Sequence, residues 1–367
     1  MVDRGRARDF GVVIGTYPTG TLNAITDVDG VRVGHATVVR DPEPGGRGAV
    51  RTGVTAIFPH EGHPWRERVY AGTHVLNGYG ELIGTNQIGE WGLLHSPIVL
   101  TSSLAIGRAY DATVRWRAER HGVVVNEGGD MPVVAECDDS TLNDVTTFPL
   151  AERDVFEALD SATAGPVEEG CVGAGTGTQC MDFKGGIGTA SRVVPGGFTV
   201  GVLVLTNFGE RELLRIDGVP VGREIADLMP VEHGEGSCIV VVATDAPMLP
   251  HQCRRLAVRG ALGLARCGST AHNGSGELMI AFSTANRIPL EAADGLIDVR
   301  AVLDGAASGS GAPTNDLFAA TVEAVEEAVV NALFTATTTV GRDGNVLHAL
   351  PIDRTLEILA RYGRPAS

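Results

Sequence analysis

The sequence predicts a layered α+β fold, and two observations carry the prediction. Strand-length apolar or alternating runs fall near one another, and helical stretches come in separate blocks rather than after every strand. Strict alternation would instead indicate a doubly wound parallel sheet. No internal repeat or low-complexity segment complicates the pattern.

Along the chain, residues 30–39 (GVRVGHATVV) alternate apolar and polar, as a half-buried strand does, and 53–58 (GVTAIF) form a buried strand ending at Pro59. The stretch 71–92 is rich in Gly and Asn and reads as loops and tight turns. Ser102 to His121 has helical spacing, with Gly122 as its C-cap. Residues 196–206 give another strand. Residues 208–236 are polar, charged and weakly periodic, and a long structureless connection of this kind is often functional. Ser237 then opens the apolar run Cys238–Ala243, a buried strand. A helix over 251–266 and a strand over 277–284 follow. Phe318, Val322, Val325, Val329 and Leu333 predict an amphipathic helix over 315–337.

With 367 residues, 43% hydrophobic and 20% charged, the chain can bury a sizeable core. Its 49 glycines and 5% aromatics favour tight turns and close backbone contacts. A net charge of −16 repels phosphate backbones, so nucleic acid is not an expected partner, whereas a substrate bearing an ammonium group is. Lys184 is the sole lysine, and an Arg-biased genome is the plain explanation. The six cysteines form no C-x-x-C pair or zinc spacing and suit small buried residues in a reducing compartment. No signal-peptide run opens the chain, and no stretch of about 18 apolar residues would span a membrane. The expectation is a soluble cytoplasmic protein without membrane association.

The first chemical feature is Gly234-Glu235-Gly236 running into Ser237 at a strand start. Without a Cβ, Gly236 lets the Ser237 hydroxyl approach the preceding carbonyl. An N-to-O acyl shift and hydrolysis would expose Ser237 as a new N-terminus, whose amine, with a pKa of about 7.7–8.0, suits a general base. Read alone, the same residues are an ordinary turn. The second is Asn273-Gly274-Ser275-Gly276-Glu277: Ser275 and Glu277 are two apart, so in extended chain they point the same way. They form either a hydroxyl–carboxylate relay beside a nucleophile or a turn with a solvated Glu.

Three further features need weighing. Gly173-Ala174-Gly175-Thr176-Gly177 is neither G-x-G-x-x-G nor a Walker A loop; it suits a loop lining a catalytic cleft, or hairpin turns. Asn207, at the end of a strand, could donate its amide to an oxyanion or cap a turn. His60-Glu61-Gly62-His63 lacks the spacing of H-E-x-x-H and reads as a loop. No G-x-S-x-G elbow supports an α/β-hydrolase.

Together these features resemble the DmpA-type aminopeptidases, the L-aminopeptidase/D-esterases and β-peptidyl aminopeptidases. The resemblance covers nearly the whole chain. It runs through 25–35 (ITDVDGVRVGH), 77–81 (NGYGE), 90–92 (EWG), 173–177 (GAGTG), 183–192 (FKGGIGTASR), Gly236-Ser237, 243–247 (ATDAP) and 326–333 (EEAVVNAL). It implies a four-layer αββα sandwich, resembling N-terminal nucleophile hydrolases with different connectivity. It implies one domain over 1–367, made as a precursor that cleaves itself into fragments 1–236 and 237–367, assembled as a tetramer of such pairs. By the same resemblance Ser237 is the nucleophile, Ser275 and Glu277 support it, Asn207 is the oxyanion donor, and no metal or organic cofactor is expected.

One loop departs from the family. Glu136-Cys137-Asp138-Asp139-Ser140 stands where relatives often carry Glu-Thr-Tyr-Asp-Gly, so Asp138 replaces an aromatic lining the cleft. Glu136 or Asp138 is expected to bind the substrate ammonium. The resulting expectation is a self-processed aminopeptidase or amidase releasing N-terminal residues from short peptides, amides or esters. The alternatives are a self-cleaving acyltransferase of the ornithine acetyltransferase type, which typically exposes Thr rather than Ser, and an unprocessed non-enzymatic homologue.

Overall fold

The alternating run becomes β1 (Arg32–Arg40), paired antiparallel along its length with β2 (Val50–Phe58), which is buried at every position. β3 (Glu67–Val75), β4 (Leu82–Ile83), α1 (Thr85–Trp91) and β5 (Leu93–Leu94) occupy the stretch that composition assigned to loops. The correction has a packing reason: a Cβ at Gly72 would lie 2.4 Å from the Arg254 backbone nitrogen, so glycine here admits a helix against a strand rather than making a turn. Next come β6 (Ile98–Ser102), α2 (Ile106–His121, closed by Gly122 at φ 72°), β7 (Val133–Cys137) and α3 (Glu152–Asp160). Then follow β8 (Gln179–Cys180), β9 (Phe183–Lys184), β10 (Ile187–Val193), β11 (Thr199–Asn207), α4 (Val221–Glu224), β12 (Ser237–Thr244), α5 (Pro250–Arg266), β13 (Gly276–Pro289), α6 (Pro313–Thr335) and α7 (Ile352–Arg361). The structure, a computed structural model, describes residues 3–41, 48–122, 131–231, 236–304 and 313–364.

Two sheets stack face to face. One runs β1-β2-β6-β7-β4 and the other β10-β11-β12-β13-β3-β5. Ile239, Val241, Leu278, Ile280, Leu203 and Leu205 of the second sheet meet Ile57, Ile98, Leu100 and Val133 of the first. α5 and α6 cover the outer face of the six-stranded sheet through Val240, Val242, Met279, Leu256 and Val325. α2 and α3 cover the other outer face through Val54, Val99, Trp116 and Val155. The result is an α+β arrangement of four layers, with strands buried on both faces and therefore almost wholly apolar, as at Cys238–Ala243. β12 and β13 sit inside the second sheet, between β11 and β3.

Two other expectations are corrected. From Ala320 to Phe334 α6 is buried all round rather than amphipathic, because its glutamates turn inward onto cations. Glu327 meets Arg192 at 2.6 Å and Arg8 at 2.7 Å, and Glu323 meets Arg192 at 3.3 Å. Nor is the segment after β11 structureless. The Arg211 guanidinium lies 3.3 Å over the Phe183 ring and donates to the carbonyls of Met181, Asp182, Ile225, Asp227 and Leu228. One buried cation thus satisfies backbone that forms little regular structure. Gly234 and Glu235 lie outside the described residues.

Candidate active site

Ser237 is the first residue of β12 and is buried. Its antiparallel partner on β11 is Asn207 and its parallel partner on β13 is Gly276. Paired residues share a sheet face, so Ser237 and Asn207 point the same way. That face carries Ile239 and Val241 and looks between the sheets. The Asn207 Oδ1 accepts the Gln179 N–H at 3.0 Å, which fixes the amide and leaves its NH2 as the donating end. The glycine loop supplies this contact. A Cβ at Gly177 would meet the Arg51 carbonyl oxygen at 2.1 Å, so only glycine lets the loop approach so closely.

Gly236 precedes Ser237 with its carbonyl oxygen accepting the Gly276 N–H at 3.2 Å. A Cβ on Gly236 would meet Phe208 Cα at 2.9 Å, so glycine serves close approach here. The carbonyl already faces a donor placed to stabilise charge developing on it.

Ser275 and Glu277 are bonded to one another, the hydroxyl donating to Oε1 of the carboxylate. Gly276, between them in sequence, is the parallel partner of Ser237. Glu277 alternates onto the face of Met279 and Ala281, which belongs to the helix-facing core. The pair and the Ser237 side chain therefore flank the Gly236–Ser237 peptide from opposite faces of the sheet. Burial pushes the Glu277 carboxyl above its ordinary range, and the hydrogen bonds from Ser275 and Asn77 draw it part of the way back. A cleft of about 910 Å³ opens on this side, bordered by Gly236, Ser275, Glu277, His272, Glu210 and Asp182.

Glu136, on β7, lies behind the loop after β3. Its Oε1 accepts the Glu81 N–H at 2.8 Å and its Oε2 accepts the Ser103 hydroxyl. A Cβ on Gly80 would lie 3.2 Å from that Oε1 and 3.4 Å from Gly276 Cα, so only the Tyr79–Glu81 turn separates this carboxylate from β13 at the Ser237 register. Burial raises the Glu136 carboxyl above its ordinary range. Asp138 is turned onto Ser140, accepting its N–H at 3.0 Å and its hydroxyl at 2.7 Å. The geometry thus brings Ser237, Asn207, Ser275, Glu277 and Glu136 to one end of the second sheet, with Asp138 engaged locally.

His60 and His63 do not converge on a shared point: the His60 ring is tied to the Glu67 carbonyl at 2.6 Å, and His63 packs on Trp65 and His121. Among the described residues no group of three or more His, Cys, Asp or Glu could hold a metal ion, and no helix is long and apolar enough to cross a membrane. Sequence reasoning missed Lys184. It is fully buried, and its Nζ donates to the carbonyls of Gly175, Thr178 and Gly185. Its isolation among arginines was the available signal.

Residues 23–347 match the model of peptidase family S58. The chain is 42% identical to the β-peptidyl aminopeptidase BapA of Sphingosinicella microcystinivorans, over 99% of this chain and 93% of that protein. The solved L-aminopeptidase D-Ala-esterase/amidase of Ochrobactrum anthropi, described as a prototype of the serine aminopeptidases and a variant of the Ntn hydrolase fold, superposes with a TM-score of 0.90 at 44% identity, covering 98% of this chain and 99% of that one. A β-aminopeptidase of Burkholderia sp. superposes with a TM-score of 0.87 at 42% identity, covering 98% and 100%.

Proposed function

The chain belongs to peptidase family S58 and is an aminopeptidase, and from that premise we propose that it cuts its own Gly236–Ser237 bond and then uses Ser237 as an N-terminal nucleophile on short substrates with a free amine. The observation that carries this reading is the peptide itself: its carbonyl oxygen accepts the Gly276 N–H, and Gly236 and the bonded Ser275–Glu277 pair border one cleft.

In maturation the Ser237 Oγ attacks the Gly236 carbonyl carbon. The Gly276 N–H stabilises the oxygen as it becomes negative. The C–N bond breaks, the hydroxyl proton passes to the departing nitrogen, and an ester links Gly236 to Ser237 Oγ. Water cleaves that ester, leaving a Gly236 carboxylate and a free Ser237 amine and hydroxyl. The fragments 1–236 and 237–367 stay together because β12 and β13 are hydrogen-bonded between β11 and β3.

In turnover the new amine takes the hydroxyl proton as Oγ attacks the substrate carbonyl. Glu277 and Ser275 hold the resulting ammonium from the cleft side, and the Asn207 NH2 stabilises the oxyanion on the hydroxyl side. The ammonium then protonates the leaving amine, and water releases the acid. Glu136 supplies a negative charge beyond the Tyr79–Glu81 turn, suited to a substrate ammonium. No organic or metal cofactor enters these steps. The unit works as a cytoplasmic oligomer of cleaved pairs, a tetramer on the family resemblance. The test is intact mass of the 237–367 fragment after brief exposure to an amino-acid ester. A transient mass gain equal to the acyl group, absent when the amine is pre-blocked, is expected; turnover with no adduct under rapid quench, and equal activity with a blocked amine, would contradict it.

A further inference from the structure

Lys184 is the sole lysine of the chain and is fully buried. Its Nζ lies 2.9 Å from the Gly175 carbonyl oxygen, 2.8 Å from that of Thr178 and 2.7 Å from that of Gly185. Three backbone carbonyl oxygens converge on this nitrogen, with the Cys171 side chain as a further polar neighbour, and burial pushes its pKa below the ordinary lysine range. An ammonium offers one N–H to each of the three carbonyls, where a neutral amine has only two to give. A compact ammonium also meets three converging carbonyls in a way that a planar guanidinium does not. That explains why lysine persists here in a chain whose other side-chain cations are arginines.

The Thr178 carbonyl belongs to the same peptide unit as the Gln179 N–H. That N–H donates to Asn207 Oδ1 at 3.0 Å. A cation on the carbonyl oxygen of a peptide polarises its N–H, and hydrogen bonds in series strengthen one another in a low-dielectric interior. The Asn207 amide, polarised at its oxygen, becomes a better donor at its NH2, on the face it shares with Ser237. The loop is further pinned to the same strand end, with Met181 N–H donating to the Phe208 carbonyl at 2.7 Å.

We infer that Lys184 is a positioning residue for the oxyanion donor: its charge, relayed through the Thr178–Gln179 peptide, orients and polarises the Asn207 amide. The inference rests on Asn207 acting as oxyanion donor in the function proposed above. The chain of contacts is ammonium, carbonyl oxygen, peptide N–H, amide oxygen, amide NH2, oxyanion. Lys184 touches no substrate.

The test is a double-mutant cycle of Lys184→Met and Asn207→Ala, with kcat and KM measured on an amino-acid amide after processing is verified by mass. Lys184→Met is expected to lower kcat about tenfold, a part of the roughly 10²–10³-fold that loss of one oxyanion donor costs, with KM within about twofold. In the Asn207→Ala background the same change should lower kcat by less than about twofold. Additive losses, or a loss residing in KM, would overturn the relay while leaving Asn207 in its role. An unchanged kcat in Asn207→Ala would overturn the oxyanion reading itself. Should Lys184→Met not fold or mature, wild-type protein answers the question, because ¹⁵N-lysine labelling marks Lys184 alone. One ammonium signal at the working pH is expected, shifting when a peptidyl boronate forms its adduct on wild type and not on Asn207→Ala. A neutral-amine signal, or one indifferent to the adduct in wild type, would overturn the inference.

Discussion

Replacing Gly236 by alanine places a Cβ 2.9 Å from Phe208 Cα and 3.0 Å from the Asn207 carbonyl oxygen. Both neighbours are backbone of a buried strand end and cannot swing aside, and Phe208 is itself 1% exposed. Gly236 does not have a left-handed φ, so the cost is steric rather than conformational. Overpacking of this kind costs about 1–3 kcal/mol. If it falls on the geometry of attack, maturation slows by roughly 5–150-fold, at about 1.4 kcal/mol per tenfold. The same residue becomes a fragment terminus once the bond is cut, so the matured enzyme should be unimpaired. The assay follows intact mass during incubation of Gly236→Ala and measures kcat per matured site afterwards. Slow maturation with normal kcat is expected. Maturation at the wild-type rate, or a kcat reduced in step with it, would refute the reasoning.

Three other outcomes follow from the geometry. Glu277→Gln should lower kcat about 10²-fold or more, as loss of an acid–base partner does; in wild type the rate should fall with decreasing pH as the Ser237 amine is protonated and fall again through a value above the ordinary carboxylate range as Glu277, raised by burial, is protonated, and only the second limb should vanish in the variant. Glu136→Gln should raise KM for free-amine substrates about tenfold while Asp138→Asn, whose carboxylate is engaged by Ser140, changes KM little; steady-state kinetics on an amide panel decides, and the reverse order would exclude Glu136 as the ammonium site. Arg192→Met should destabilise the fold by about 1–3 kcal/mol in urea unfolding, because Glu327 loses its fully buried partner at 2.6 Å and keeps only Arg8, at 2.7 Å, as a cation.

How much of this was legible in the sequence depended on whether the signal was local. Ser237 at a strand start, Ser275 two residues from Glu277, and Asn207 ending a strand are local patterns, and the strands and helices that carry them lie where periodicity placed them. The faces on which these side chains act are not local. They follow from the parallel register of β12 on β13, which pairs Ser237 with Gly276 and sends Glu277 to the other side. The 71–92 stretch was misread because Gly72 and Gly92 answer to a helix far away in sequence, at Arg254 and Pro250. The connection after β11 was misread because Arg211, within it, ties carbonyls as far on as Leu228 while lying over the sequence-distant Phe183 ring. Lys184 stood out only by being alone; its three carbonyl partners come from a folded-back loop that spacing does not encode.

Intact-mass analysis of purified wild type and Ser237→Ala tests the central proposal most directly. The account predicts that wild type separates into two fragments whose masses place the cut between Gly236 and Ser237, while Ser237→Ala stays whole. A wild-type chain that remains a single mass after long incubation yet hydrolyses amino-acid amides, or a Ser237→Ala chain cut at the same bond, would contradict it.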